Sequence, residues 1–140
     1  MKTRIYILSV LILVIGIKAR SQENNAKGFA VFMENFALDS VFQKQHTIFP
    51  LEYRTWVPGE GDEPEVGHIQ KKDWQPMAFE PTQGLKKGGP GYGDYTQQFI
   101  IEATHTTIQL RGVDNGIYTD FIFKRDNGSW YLLRVEDYST

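Results

Sequence analysis

The sequence predicts an α+β domain in which N-terminal helices pack on a curved antiparallel β-meander. Three observations carry that expectation. Phe29, Phe32, Met33, Phe36 and Ala37 recur at helical spacing, so one face of a helix is apolar. Asp-Asn-Gly occurs twice near the C-terminus, at 114–116 and 126–128, and each marks a hairpin. Around those turns apolar and polar residues alternate, which is the period of a half-buried strand.

Residues 1–21 read as a cleaved signal peptide. Lys2 and Arg4 give a positive start, and Ile5–Ile17 is an uncharged apolar run. A spanning helix needs roughly 20 apolar residues, so this run is too short to anchor the chain. Ala19 and Ser21 fit the small-residue positions of a cleavage site that frees Gln22, with cleavage after Ala19 as the alternative. Residues 22–27 are polar and expected to be flexible, and 28–140 form a single domain. The chain has no cysteine, so neither disulfides nor a lipidated thiol hold it. The expected product is exported, periplasmic or secreted, and free of the membrane after cleavage. A net charge of −2 with scattered basic residues gives no nucleic-acid footprint.

The elements then follow in order. Ser40 and Gln43 have capping-box spacing for a second short helix ending near His46, with Asp39 between the helices. Ile48, Tyr53, Trp56 and Val57 have strand character up to Pro58-Gly59. Glu60, Asp62, Glu63 and Glu65 lack calcium-loop spacing and read as a solvated loop. Val66–Lys71 reads as a short strand, and Asp73 is placed to cap a helical turn around Trp74. Gly84–Gly93 has five glycines but no phosphate-loop ending, and is expected to be a mobile loop or lid. His46, His68 and His105 have no metal-ligand spacing, so no metal or other cofactor is expected.

For the meander, register is chosen so that apolar residues share one face. A three-residue loop at 126–128 sets Phe121 opposite Leu133, Phe123 opposite Tyr131 and Thr119 opposite Val135. A two-residue loop would set Phe121 against Arg134. A two-residue turn at Asn115-Gly116 pairs Leu110 with Phe121, and a turn at Thr104-His105 pairs Ile101 with Ile108. In these registers Gln98, Arg111, Asp120 and Arg134 form a ladder on the outer face, with Asp120 between two arginines. That ladder is either a solvated charge row or an anion or partner site. Ile100, Ile122, Leu132 and Trp130 add apolar area beside it, which a homodimer would cover.

Phe36–Gln43, Phe49-Pro50-Leu51, Gly116-Ile117, Phe121–Lys124 and Trp130–Asp137 resemble an exported bacterial family of unknown function numbered 4348, drawn largely from Bacteroidetes. Two helices, an extended segment and a long meander also resemble the cone-shaped fold of nuclear transport factor two. The family resemblance implies a fold and no catalytic residues. The wider cone fold includes ketosteroid isomerase and scytalone dehydratase, which work with acids, tyrosines or histidines inside the cone, but fold alone does not confer that chemistry. The meander's expected inner face has no acid or base, although Asp39, His46 or Tyr53 would be available from preceding elements. The expectation is therefore a non-catalytic domain that binds a small apolar ligand or a protein partner, with a cone-fold enzyme or a structural homodimer as alternatives. Tyr53, Trp56, Trp74, Tyr92 and Tyr131 are the candidate ligand contacts.

Overall fold

The computed structural model describes residues 3–57, 59 and 61–140, with side chains from Lys18 onward. The apolar run of the expected signal, Ile5–Ile17, lies outside the described side chains. Helix α1 spans Thr3–Leu38 and α2 spans Ser40–Gln45. Seven strands follow: β1 Thr47–Thr55, β2 Glu65–Ile69, β3 Gly84–Lys86, β4 Tyr95–Ile101, β5 His105–Gly112, β6 Tyr118–Asp126 and β7 Ser129–Asp137. They form one curved sheet in the order β2-β1-β7-β6-β5-β4-β3. All neighbours are antiparallel except β1 and β7, which run parallel. Among the described residues no helix is long and apolar enough to cross a membrane.

The apolar stripe of α1 covers the meander as its spacing requires. Phe29 meets Phe99, Phe123 and Trp130 edge-on, with ring centroids 5.3, 5.6 and 5.3 Å apart. Phe36 reaches Phe123 and Phe79, and Phe79 reaches Phe121. Such edge contacts contribute about 0.5–1.5 kcal/mol each beyond area burial. The stretch 22–27, expected to be flexible, continues α1, where Lys27 pairs with Glu23 at 2.8 Å and Asn25 meets Arg125 of β6. Asp39, not Ser40, caps α2: its carboxylate accepts from the Val41 and Phe42 amides at 2.8 and 3.0 Å. Gln43 is released from the expected capping box and buried.

The meander keeps the predicted alternation in β4, β5 and β6 but not the predicted registers. Phe99 pairs with Ile108, and Ile108 with Phe121, so both hairpins are shifted by two residues and the faces survive. The turn between β4 and β5 lies at Ala103-Thr104, where Glu102 donates its amide to the carbonyl of His105. The loop between β5 and β6 is longer than the two residues expected. Its Asn115 side chain bonds the Asp94 and Val113 carbonyls and the Ile117 amide. A Cβ on Gly112 would clash with that side chain, and one on Gly116 would clash with the Thr140 carbonyl. These glycines serve close approach rather than a tight turn.

At the β6–β7 hairpin the expected three-residue loop is replaced by a two-residue one. Asn127 and Gly128 both take positive φ, and Asp126 pairs with Ser129. The clash between Phe121 and Arg134 that argued against this loop is avoided by a bulge. Phe123 pairs with Leu132 but Ile122 pairs with Arg134, so Leu133 is the extra residue. Trp130 and Leu132 therefore face inward and are buried, Val135 stays on the inner face but pairs with Phe121 instead of Thr119, and Tyr131 and Leu133 are only half-buried. The inward placement expected for Tyr131 and Leu133 is corrected by that one residue, as is the outward placement of Trp130 and Leu132.

The glycine-rich stretch is not an open loop. Its start forms β3 against β4, Lys87 pairs with Asp94 at 2.5 Å, and Gly88 lies so close to the Tyr92 carbonyl that a Cβ would clash. The expected helical turn around Trp74 is a 3-10 turn at Lys71–Asp73, after which Trp74 is extended.

Candidate site at the Trp74 strap

Residues 70–83 cross the open side of the sheet as a strap, and three glutamines fix it. Gln43 donates from Nε2 to the Phe36 and Met77 carbonyls at 3.1 and 2.9 Å and accepts from the Met77 amide at 2.7 Å. Gln97 donates to the Glu80 and Thr82 carbonyls at 2.8 and 2.9 Å. Gln83 accepts from the Phe99 amide at 2.7 Å. Beyond its 3-10 turn the strap has no ladder to satisfy its backbone, and the buried side-chain amides of Gln43 and Gln97 do so here. The strap inserts Phe79 between Phe36 and Phe121, filling the space between helix and sheet.

Concave space of ligand size lies on the strap's flanks. One cleft of about 470 Å³ is lined by His68, Ile69, Asp73, Trp74, Pro76 and Met77. A second, of about 360 Å³, is lined by Ser40, Val41, Lys44, Lys71, Trp74 and Pro76, with Gln45. Trp74 borders both. The residue is 5% exposed, its ring stands edge-on to Phe49 at 5.5 Å, and its indole Nε1 is buried without a hydrogen-bond partner among the described residues. Leaving such a donor unpaired costs about 1–3 kcal/mol.

The structure does not gather the other expected ligand contacts around Trp74. Tyr53 lies on the inner face at the end of β1 and donates to Asp137. Tyr131, at the start of β7, stacks on His46, which also stacks on Phe42 at 3.9 Å. Trp56 is at the strand end with its indole on the Gly61 carbonyl, and Tyr92 is 76% exposed in the β3–β4 loop. The five aromatics thus occupy separate places and form no common mouth.

The Tyr53 end carries a polar cluster that sequence reasoning missed. Asp137 accepts from the Tyr53 and Thr119 hydroxyls at 3.1 Å each, and from the Ser139 hydroxyl and amide at 2.7 and 3.1 Å. Burial pushes the Tyr53 hydroxyl up, Asp137 adds to it by charge and hydrogen bond, and the pKa reaches about 12. Burial alone would raise Asp137, but the Ser139, Tyr53 and Thr119 bonds outweigh it and hold the carboxyl below its ordinary range. Asp137 has the inner-face parity of Val135 in the expected register too, but its partners Tyr53 and Ser139 come from β1 and the tail, outside the hairpin pairings read from the sequence.

The outer-face ladder also differs from its expected form. Asp120 pairs with Arg111 alone at 2.7 Å, opposite Gln109 and Glu136, while Arg134 meets Glu136 at 2.6 Å. Arg54 joins through Glu52 and Glu136, and Arg111 lies 3.7 Å over the Tyr118 ring. Arg54, Arg111 and Arg134 are thus each paired with a carboxylate of the same face. Trp130 has no place there. Among the described residues no group of three acids or histidines is arranged around a metal.

The family model of a domain of unknown function, DUF4348, matches residues 5–137. The chain belongs to the DUF4348 family. No curated protein matches it. Among solved structures, this DUF4348 chain is similar to an NTF2-like protein from Bacteroides fragilis NCTC 9343, with a TM-score of 0.57 and 24% identity over 78% of the chain. It spans 46% of that protein's length. A cystatin-like protein from Bacteroides caccae ATCC 43185 gives a TM-score of 0.55 at 21% identity, with 79% of this chain and 74% of that one covered. A protein from Bacteroides uniformis ATCC 8492 gives 0.52 at 17%, over 77% and 73%. The likeness shows the DUF4348 chain to have an NTF2-like α+β fold, with a helix laid on a curved sheet.

Proposed function

We propose that this chain is an exported binding domain of the cell envelope that holds a small molecule with an apolar body beside Trp74. The observation that carries the reading is the position of Trp74, a residue that lines two ligand-sized clefts and whose indole N–H has no partner within the protein. The aromatic packing between α1 and the sheet favours a ligand outside the inner face rather than within it. Export rests on Lys2, Arg4, the run Ile5–Ile17 and the small residues Ala19 and Ser21. Native mass spectrometry of the protein from its host's exported fraction tests both parts. The expected result is a mass lacking residues 1–21 and a small-molecule adduct that weakens in Trp74→Phe, which keeps a ring and removes the N–H. A retained N-terminus would contradict export, and a bare chain would contradict binding.

The enzyme alternative rests on Tyr53 and Asp137, the acid–phenol pair of the inner face. A general acid or base works best with a pKa near the working pH, whereas the Tyr53 pKa reaches about 12 and Asp137 is held low. The bonds to Thr119 and Ser139 also occupy the carboxylate in fastening the C-terminal tail. Binding is the better supported reading.

A further inference from the structure

We infer that the ligand is an organic anion, with its carboxylate or equivalent group held by Lys44 and Lys71 in the smaller cleft; this rests on the binding reading above. The two clefts flanking Trp74 differ in charge. The larger one has Asp73 and His68 in its wall. The smaller is lined by Ser40, Val41, Lys44, Lys71, Trp74 and Pro76, with Gln45, and has no carboxylate in its wall. Neither lysine makes an ion pair among the described residues, in contrast to Lys27 and Lys87. The carboxylate next in sequence, Asp39, is engaged with the Val41 and Phe42 amides that begin α2.

The cleft therefore joins two ammonium groups, a hydroxyl and a side-chain amide to an apolar floor of Val41, Trp74 and Pro76. A neutral apolar ligand would use the floor and leave both charges unmatched. A molecule with one acidic end and a flat hydrocarbon body matches the whole surface, and the acid selects this cleft over the one that contains Asp73. Lysine suits this role because its ammonium on a flexible stem can meet the anion while the stem lies along apolar surface.

The test uses the protein as recovered from the exported fraction, labelled with ¹⁵N, and two probes: 2-naphthoate and the neutral 2-naphthalenemethanol. The readout is the Trp74 indole N–H resonance, assigned by its loss in Trp74→Phe. The expected result is that naphthoate shifts this signal more tightly than the alcohol. Lys44→Gln and Lys71→Gln should each weaken naphthoate by up to about fivefold, within the range of exposed ion pairs. Added salt should remove the preference. If both probes bind equally and the lysine variants change nothing, the anion assignment is overturned while binding at Trp74 stands. If neither probe moves the Trp74 signal, both readings fall.

Discussion

The two ends of the inner sheet face are held by different forces. At one end Phe29, Phe36, Phe99, Phe123 and Trp130 pack ring edge to ring face under α1, with hardly a polar atom among them. At the other, Asp137 collects four hydrogen bonds from Tyr53, Thr119 and Ser139 and ties down the tail. The aromatic end depends on area removed from water and should ignore pH. The polar end depends on a carboxylate staying charged and a phenol staying neutral. Between them lies the strap, fixed by side-chain amides.

The largest expected break is at the aromatic end. Phe123→Ala removes a ring that touches Phe29, Phe32 and Phe36. It should cost about 3–5 kcal/mol in thermal or urea unfolding, by the same amount at pH 5 and pH 8. A pH-dependent loss there would erase the contrast between the two ends. Gln43→Leu comes next. It fills similar volume but leaves the Met77 amide and carbonyl without partners, for about 1–3 kcal/mol, and the Met77 amide should lose hydrogen-exchange protection. Protection unchanged at Met77 would mean that something other than glutamine holds the strap.

The polar end sharpens the comparison through pH. Asp137 has a lowered folded pKa, so its contribution is full above its ordinary value of 3.8 and is lost as pH falls through the folded value. Asp137→Asn should therefore flatten the acid limb of the stability profile. Tyr53 has a raised folded pKa, so its contribution is full below 10.0 and is lost as pH rises toward about 12. Tyr53→Phe should remove that alkaline loss and leave the acid limb set by the remaining Asp137 bonds. The smallest effect belongs to the outer face. Arg134→Gln should change stability by about 1 kcal/mol or less, because Glu136 retains Arg54.

The helix stripe and the meander were legible because each is a repeated pattern of apolar residues, and a register error of two residues leaves such a pattern intact. A bulge is different: it adds one residue, reverses the parity of all that follow, and has no sequence signature in Leu132-Leu133-Arg134. Val135 beyond the bulge keeps its expected face, whereas Trp130 and Leu132 before it were assigned to the wrong one. The first Asp-Asn-Gly looks like the second, yet there Asn115 acts through its side chain and Gly116 through its missing Cβ. The strap beyond Trp74 has no periodic pattern to read, and glutamine ordinarily marks surface rather than a buried clamp. Gln97 carried one usable signal, sharing the parity of Phe99 and Ile101 on β4. Trp74 was legible as an aromatic in an irregular segment, but nothing in the sequence separated it from Trp56 or Tyr92.

The central claim is that ligand binds outside the filled inner face, at Trp74. The most direct measurement is backbone and indole chemical-shift mapping of the exported protein against a methanol extract of its host's envelope. The account predicts shifts concentrated at Trp74, Lys44, Lys71 and their neighbours on the strap. Shifts confined to Tyr53, Thr119 and Asp137 would contradict it and move the site into the inner face.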